Sequence, residues 1–247
     1  MGRYKAVFFD RDGTLVRGDP EWTRFRDEHL EQWSGRKFDS SYDYFMKFFE
    51  KVERGGFPFA PYKTVDQEMD FFRQWYLYVF EDMGITEKTA ERADMLVEKL
   101  WYLKKHPYPE TVEVLEYFRG KGYKMGVISD STPSLEMTLE ACGLHRYFTS
   151  FTASSLVGAE KPDPAIFRAA LEAQGVTAEE SIYVDDYPPE AEGARKLGFA
   201  SFLLDRQGIH PEDPFTISNL RGLVNFVERQ GGILRPLTNR TGQNYPG

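Results

Sequence analysis

Tyr4-Lys5-Ala6-Val7-Phe8-Phe9-Asp10-Arg11-Asp12-Gly13-Thr14-Leu15 is the stretch whose reading decides the fold. Its first half is a short apolar run; its second stops abruptly in acid, glycine and hydroxyl, which reads as a buried strand delivering a tight polar loop. Asp10 and Asp12 leave that strand with one residue between them, so extended geometry turns both carboxylates to the same side. Two like charges that close need a cation or a proton. One carboxylate can attack an electrophile such as phosphorus. The other, held partly protonated by its neighbour, can protonate the leaving oxygen and later activate water. Gly13 lets backbone approach a ligand, Thr14 adds a hydroxyl, and the amides of the turn can form a nest for anionic oxygens. An Asp-rich turn can also simply join a strand to a helix. From average composition, however, Asp-x-Asp-Gly-Thr arises by chance on the order of once per thousand chains of this size.

Downstream of the loop the pattern turns helical from Pro20 to Lys105. Tyr42, Phe45, Met46 and Phe49 recur at helical spacing, as do Ala93, Leu96, Val97, Leu100 and Trp101. Four helices fit, with Thr64-Val65-Asp66-Gln67 in capping-box form for the third and Gly55-Gly56-Phe57-Pro58 as a break before it. After His106-Pro107 helices and strands alternate, with apolar strands at Lys124 to Ser129, Ser181 to Val184 and Phe199 to Leu204. That is an α/β signature. Thr132-Pro133 and Asp163-Pro164 each place a capping residue before a proline, so helices should begin directly after them. In an open parallel sheet the ligand crevice lies outside the carboxyl ends of the strands, where Asp10, Ser129 and Asp185 can converge.

The chain has 247 residues and a formal charge of −8, with 31 Lys plus Arg against 39 Asp plus Glu. No global basic field exists to gather nucleic acid. Of 38 aromatic residues, 20 lie between Arg17 and Lys105, including all four Trp, so the chain is compositionally two pieces. The organisation expected is a catalytic core over 1–16 and 106–230, a helical insertion over 17–105 and a tail over 231–247. One cysteine, Cys142, and an N-terminus without a basic leader and long apolar run suit a reducing cytoplasm. No apolar run reaches the roughly 18 to 20 residues that span a bilayer.

Ser129 closes Met125-Gly126-Val127-Ile128 and can hydrogen-bond a phosphoryl oxygen, although a serine there is also an ordinary loop residue. Lys161, kept out of helical conformation by Pro162, can neutralise a nucleophilic carboxylate and a phosphoryl group, or stand solvated before a helix. Asp185-Asp186 ends Ile182-Tyr183-Val184, with Glu190 in the next turn. Such carboxylates suit a hard divalent cation such as Mg²⁺, and equally decorate a helix N-terminus. His29, His106, His145 and His210 lie scattered, with no zinc spacing.

In order, Phe8-Phe9-Asp10-Arg11-Asp12-Gly13-Thr14-Leu15, Ile128-Ser129-Asp130, Lys161-Pro162-Asp163-Pro164 and Val184-Asp185-Asp186 resemble the four motifs of the haloacid dehalogenase superfamily. The resemblance spans Tyr4 to about Leu204, and the insertion resembles the C1-type helical cap of subfamily I. It implies a Rossmann-like parallel sheet with a helical lid, and a phosphatase with Asp10 as nucleophile and Asp12 as general acid and base. Ser129 and Lys161 would hold the phosphoryl group, in a site lined also by Arg11, Gly13, Thr14 and Asp130. Mg²⁺ would sit between the Asp10 carboxylate, the Asp12 carbonyl and the Asp185-Asp186 pair, either of which can be the direct ligand. The chain departs from the family pattern in having Asp185 where many relatives have Gly, and Glu190 where many have Asp or Asn.

Dehalogenases of the family lack an acid two residues after the nucleophile, because a halide needs no proton, so Asp12 argues against that activity. A phosphomutase or phosphonate hydrolase keeps Asp12. Response-regulator receivers, a non-catalytic alternative, carry their acidic pair on the first strand and accept phosphate on a later one, the reverse of this order. The expected substrate is a small phosphorylated metabolite, taken by a monomer or homodimer. Arg17, Trp22 and Arg24, with Arg26, lie just past the loop and are candidates to meet it, or are solvated helix residues.

Overall fold

The apolar run forms β1 over Ala6–Phe9, with all four side chains fully buried. A computed structural model describes residues 3–51, 62–100, 105–210 and 214–232. After β1 come a short strand β2 (Val16–Gly18), helices α1 (Pro20–Ser34), α2 (Tyr42–Lys51), α3 (Val65–Met83) and α4 (Thr89–Leu100), and a return strand β3 (Lys105–Pro107). The chain continues through α5 (Thr111–Gly120), β4 (Lys124–Ser129), α6 (Leu135–Ala141), β5 (Ser150–Ala153), α7 (Ser154–Val157), α8 (Pro164–Gln174) and β6 (Ser181–Asp185). It ends with α9 (Pro188–Lys196), β7 (Ala200–Leu204), β8 (Thr216–Ile217) and α10 (Arg221–Gly232).

Six strands form one sheet in the order β5-β4-β1-β6-β7-β8, each pairing parallel. Alternation along β1 explains why its sequence is apolar throughout. Val7 and Phe9 pack on one face with Val114, Leu115 and Phe118 of α5 and Leu223 of α10. Ala6 and Phe8 pack on the other with Ile166, Phe167 and Ala170 of α8 and Ala194 of α9. Full burial of each phenylalanine contributes roughly 1.5–3 kcal/mol. The α/β fold expected from the sequence is the one observed.

Helices α1–α4 gather a separate apolar cluster around Leu30, Phe48, Phe71, Trp75, Val79, Phe80 and Leu96. The Trp75 ring meets Phe45 at 4.9 Å and Phe48 at 5.2 Å edge to face, so the local aromatic excess is chiefly packing. The capping box is present: Thr64 Oγ1 accepts from Gln67 N–H while the Gln67 side chain accepts from Thr64 N–H. Chain entry to and exit from this helical unit run side by side, because β2 pairs antiparallel with β3, Arg17 opposite His106.

Two local expectations change. The α2 stripe runs through Tyr44 and Phe48, with Met46 36% exposed; the side chains of Tyr42 and Phe49 lie outside the described residues. A helix apolar on several sides is oriented by its partners, here the Trp75 and Phe71 rings. Helix α6 begins at Leu135 rather than directly after Thr132, because the Thr132 hydroxyl donates to Glu68 Oε1 at 2.6 Å instead of capping. The break at Gly55-Gly56-Phe57-Pro58 and residues 233–247 of the tail lie outside the described residues, and α10 runs through the expected tail boundary to Gly232.

Candidate active site

Asp10 follows β1 directly, and its amide donates to Val184 O at 2.9 Å, which holds it at the carboxyl edge of the sheet. Ser129 ends β4 and Asp185 ends β6, the two strands flanking β1. Lys161 arrives from the segment before α8, where Asp163 caps the helix by accepting from Ala165 N–H at 2.8 Å. The Lys161 ammonium lies 2.8 Å from Asp10 Oδ1, 2.9 Å from Asp185 Oδ2 and 2.5 Å from Glu190 Oε2. Both oxygens of Asp130 accept the Lys161 backbone N–H, at 2.9 and 3.1 Å. The Asp130 side chain thus places the lysine.

Acid outnumbers base here, and protonation follows. Burial, resisted by Lys161 and reinforced by Asp185, pushes Asp10 up to about 7. Burial and the Asp185 charge push Glu190 up to about 8 and Asp186 up to about 6, Lys161 opposing both. Burial alone would strip Lys161 of its charge, but the surrounding carboxylates, Asp10 foremost, hold it well above the ordinary lysine range.

Asp12 differs from its sequence reading. Instead of sharing a proton with Asp10, its Oδ2 accepts from Arg11 Nη2 at 2.8 Å and Nε at 3.0 Å, and its Oδ1 from Lys105 Nζ at 2.6 Å. Burial works to raise it, yet these two cations hold its carboxyl below the usual range. The Arg11 guanidinium, otherwise bonded to Thr138 Oγ1 at 3.0 Å, is committed to Asp12 in this state.

The carboxylates of Asp10, Asp185 and Glu190 lie within 4.8 Å of one another, a spacing that suits a cation. Lys161 Nζ already occupies their centre. Asp185 is further committed: its Oδ2 also accepts from the Tyr183 hydroxyl and its Oδ1 from Tyr187 N–H at 2.9 Å. Asp186 instead lies against the turn after Asp10, where a Cβ on Gly13 would fall 1.9 Å from Asp186 Oδ2. Gly13, at φ +78°, is required by both its backbone and this contact. The excess of buried acid fits a divalent cation, and Asp186 brings a further carboxylate to the Gly13 turn.

Thr14 is fully buried, and its hydroxyl has no hydrogen-bond partner among the described residues. The structure does not bring the arginines past the loop to this cluster: Arg24 is exposed and 3.8 Å from Glu28, and Arg26 bonds Asp27 at 2.7 Å. Arg17 is exposed on β2, and Trp22 packs on the helical cluster against Phe25. Lys105 and Tyr183 were missed by sequence reasoning. A tyrosine inside an apolar strand needs a hydroxyl partner, which is a usable signal; nothing local marks Lys105.

A family model described as a haloacid dehalogenase-like hydrolase matches residues 4–198. A phosphatase of Mycobacterium tuberculosis is 29% identical over 205 residues, 82% of this chain and 88% of that protein. A phosphoserine phosphatase of Thermus thermophilus is 37% identical over 141 residues, 56% of this chain and 55% of its own length. Among solved structures, a HAD phosphatase from Thermococcus onnurineus has a TM-score of 0.61 at 26% identity, covering 90% of this chain and 97% of the other. A 2-haloacid dehalogenase from Pseudomonas syringae has a TM-score of 0.68 at 23% identity, covering 92% and 99%, a likeness of fold alone. With a match running from β1 past α9, and its acidic, hydroxyl and lysine motifs on adjoining strand ends and the loops behind them, the chain belongs to the haloacid dehalogenase-like hydrolase family of enzymes.

Proposed function

We propose that the protein is a Mg²⁺-dependent phosphoric monoester hydrolase that acts on a small phosphorylated metabolite through an aspartyl-phosphate on Asp10. Asp12 carries the reading. An acid two residues after a buried, lysine-bonded carboxylate serves a leaving group that needs a proton, as an alkoxide does and a halide does not. The names of the phosphatase relatives support the same class.

Asp10 attacks phosphorus, the ester P–O bond breaks, and protonated Asp12 delivers its proton to the departing oxygen. Asp12, now ionised, takes a proton from water, whose oxygen attacks phosphorus; inorganic phosphate leaves and Asp10 returns as a carboxylate. To gain its first proton Asp12 must lose its charge pairing. A dianionic phosphoryl group beside it competes for Lys105 and Arg11 and adds like charge, and both effects raise the carboxyl. Lys161 and Ser129 bind phosphoryl oxygens, with Gly13 and Thr14 shaping the turn. Mg²⁺ held by Asp10, Asp186 and the Asp12 carbonyl would neutralise charge developing on the phosphoryl group.

We read residues 17–105 as a lid carried on the β2–β3 ribbon over a core of 1–16 and 106–230, and the lid as the part that selects the metabolite. Among the described residues no helix is long and apolar enough to cross a membrane. With Cys142 free, a cytoplasmic monomer or homodimer fits this reading. Purified protein with Mg²⁺ should hydrolyse nitrophenyl phosphate, stop when chelated, release no halide from a chlorinated short-chain acid, and lose nearly all turnover as Asp10→Asn. Undiminished turnover by folded Asp10→Asn overturns the mechanism.

A further inference from the structure

Arg206 stands just past β7 and reaches the turn that follows Asp10. Asp205 beside it is spent on its own loop, accepting amide bonds from Gly208 at 2.8 Å and His210 at 2.7 Å, so the base of the Arg206 side chain is fixed. Its guanidinium is engaged on every side. Nε donates to Gly13 O at 3.1 Å, Nη2 to Thr14 O at 2.8 Å and Nη1 to Glu110 Oε1 at 2.7 Å, and Cζ lies 3.5 Å from the Tyr108 ring centre.

Two successive carbonyls of one turn are thereby held by one rigid planar fork, which fixes two peptide planes at once. The N–H groups of Thr14 and Leu15 must project the other way. Leu15 N–H reaches Arg11 O at 2.9 Å, joined there by Val16 N–H at 3.0 Å, which closes the turn on the residue between the two aspartates. Glycine at position 13, at φ +78°, carries no side chain to restrict the backbone of this turn. Glu110 and Tyr108 belong to the segment returning from the helical unit, and Tyr108 N–H also donates to Leu15 O at 3.1 Å.

We propose that Arg206 is the positioning residue for Asp12: it clamps the Gly13–Thr14 peptides and so sets where the Asp12 carboxyl stands relative to the Asp10-bound phosphoryl group. The proposal rests on the roles given above to Asp10 and Asp12. It deepens them by naming a residue with no contact to the reacting atoms.

The test compares kcat/KM, which reports phosphoryl transfer to Asp10, for nitrophenyl phosphate and an alkyl phosphate in wild type, Arg206→Gln and Arg206→Lys. A nitrophenolate leaves without acid help, whereas an alkoxide needs it. Misplacing Asp12 should depress the alkyl substrate at least about tenfold more than the aryl one, in both variants, because lysine keeps the charge opposite Glu110 but not the fork. Equal loss on both substrates, or full rescue by Arg206→Lys, overturns the proposal. A second measurement needs no activity: amide hydrogen exchange at Leu15 and Val16 should quicken in Arg206→Gln while β1 and β4 keep their protection. Unchanged exchange at those two amides overturns the clamp. Failure of the phosphatase reading is recognised separately, by wild-type protein that turns over neither ester.

Discussion

Lys161 Nζ lies 2.8 Å from Asp10 Oδ1 although 151 residues separate them, and the pair is buried with side-chain exposures of 2% and 8%. An ammonium in that position works against the burial that raises the Asp10 carboxyl, and under the proposed mechanism it would also offer a donor to phosphoryl oxygen. Removing it leaves Asp10, Asp185 and Glu190 facing one another without the charge that bridges them.

Lys161→Met should lower nitrophenyl phosphate turnover by at least about a hundredfold and cost roughly 3–5 kcal/mol of stability, the usual penalty for stranding a buried partner. Urea unfolding and steady-state kinetics check both. A variant as stable and active as the parent refutes the role of the pair.

Asp185 and Asp186 should separate by phenotype. Asp186→Asn is expected to raise the Mg²⁺ concentration for half-maximal activity by about tenfold or more, because its carboxylate faces the Gly13 turn. Asp185→Asn acts first on Lys161 and Tyr187, which its oxygens hold, so it should show mainly as lost stability. A magnesium titration that is unchanged in Asp186→Asn removes that residue from the site.

Glu68 of α3 is 1% exposed and accepts from Thr132 Oγ1 at 2.6 Å, Ser134 Oγ at 2.8 Å and Ser134 N–H at 2.9 Å. This carboxylate pins the helical unit to the loop that follows Ser129. Glu68→Ala strands those donors and should cost about 1–3 kcal/mol, read as a fall of about 2–4 °C in Tm per kcal/mol for a chain of this size. An unchanged Tm argues against the latch.

Glu110 sets a pH dependence. Burial works most strongly, to raise its carboxyl, but the Arg206 bond and charge together with backbone N–H donors, Leu220 among them, outweigh it and hold the group below its ordinary 4.5. A folded value below the unfolded one stabilises the protein above about pH 4.5, and that contribution disappears as pH falls through the folded value. Urea midpoints measured downward from pH 6 should therefore drop less steeply in Glu110→Gln than in the parent. Asp12, lowered in the same sense by Arg11 and Lys105, and Asp10, Asp186 and Glu190, raised in the opposite sense, form the background common to both proteins. Identical slopes in the two proteins contradict the assignment.

Local pattern alone identified β1, β4, β6 and β7, the Thr64 capping box and the Asp163 cap, because each is written in residues close together whose periodicity or hydrogen bonding is local. It also named Asp10, Lys161 and Asp185, which meet because parallel pairing aligns the ends of β1 and β6 and the segment before α8 reaches them. The strands β2 and β3, three residues each, carry no periodicity that a sequence can display. What only the tertiary structure decided is charge. Two aspartates one residue apart imply a shared proton, but Lys105 arrives from 93 residues away and, with Arg11, ionises Asp12 instead. Arg206 likewise reaches Gly13 across 193 residues. A lone lysine or arginine in a loop looks solvated in sequence, since the Coulomb and hydrogen-bond partners that give it work are set by distance in space and not by distance along the chain.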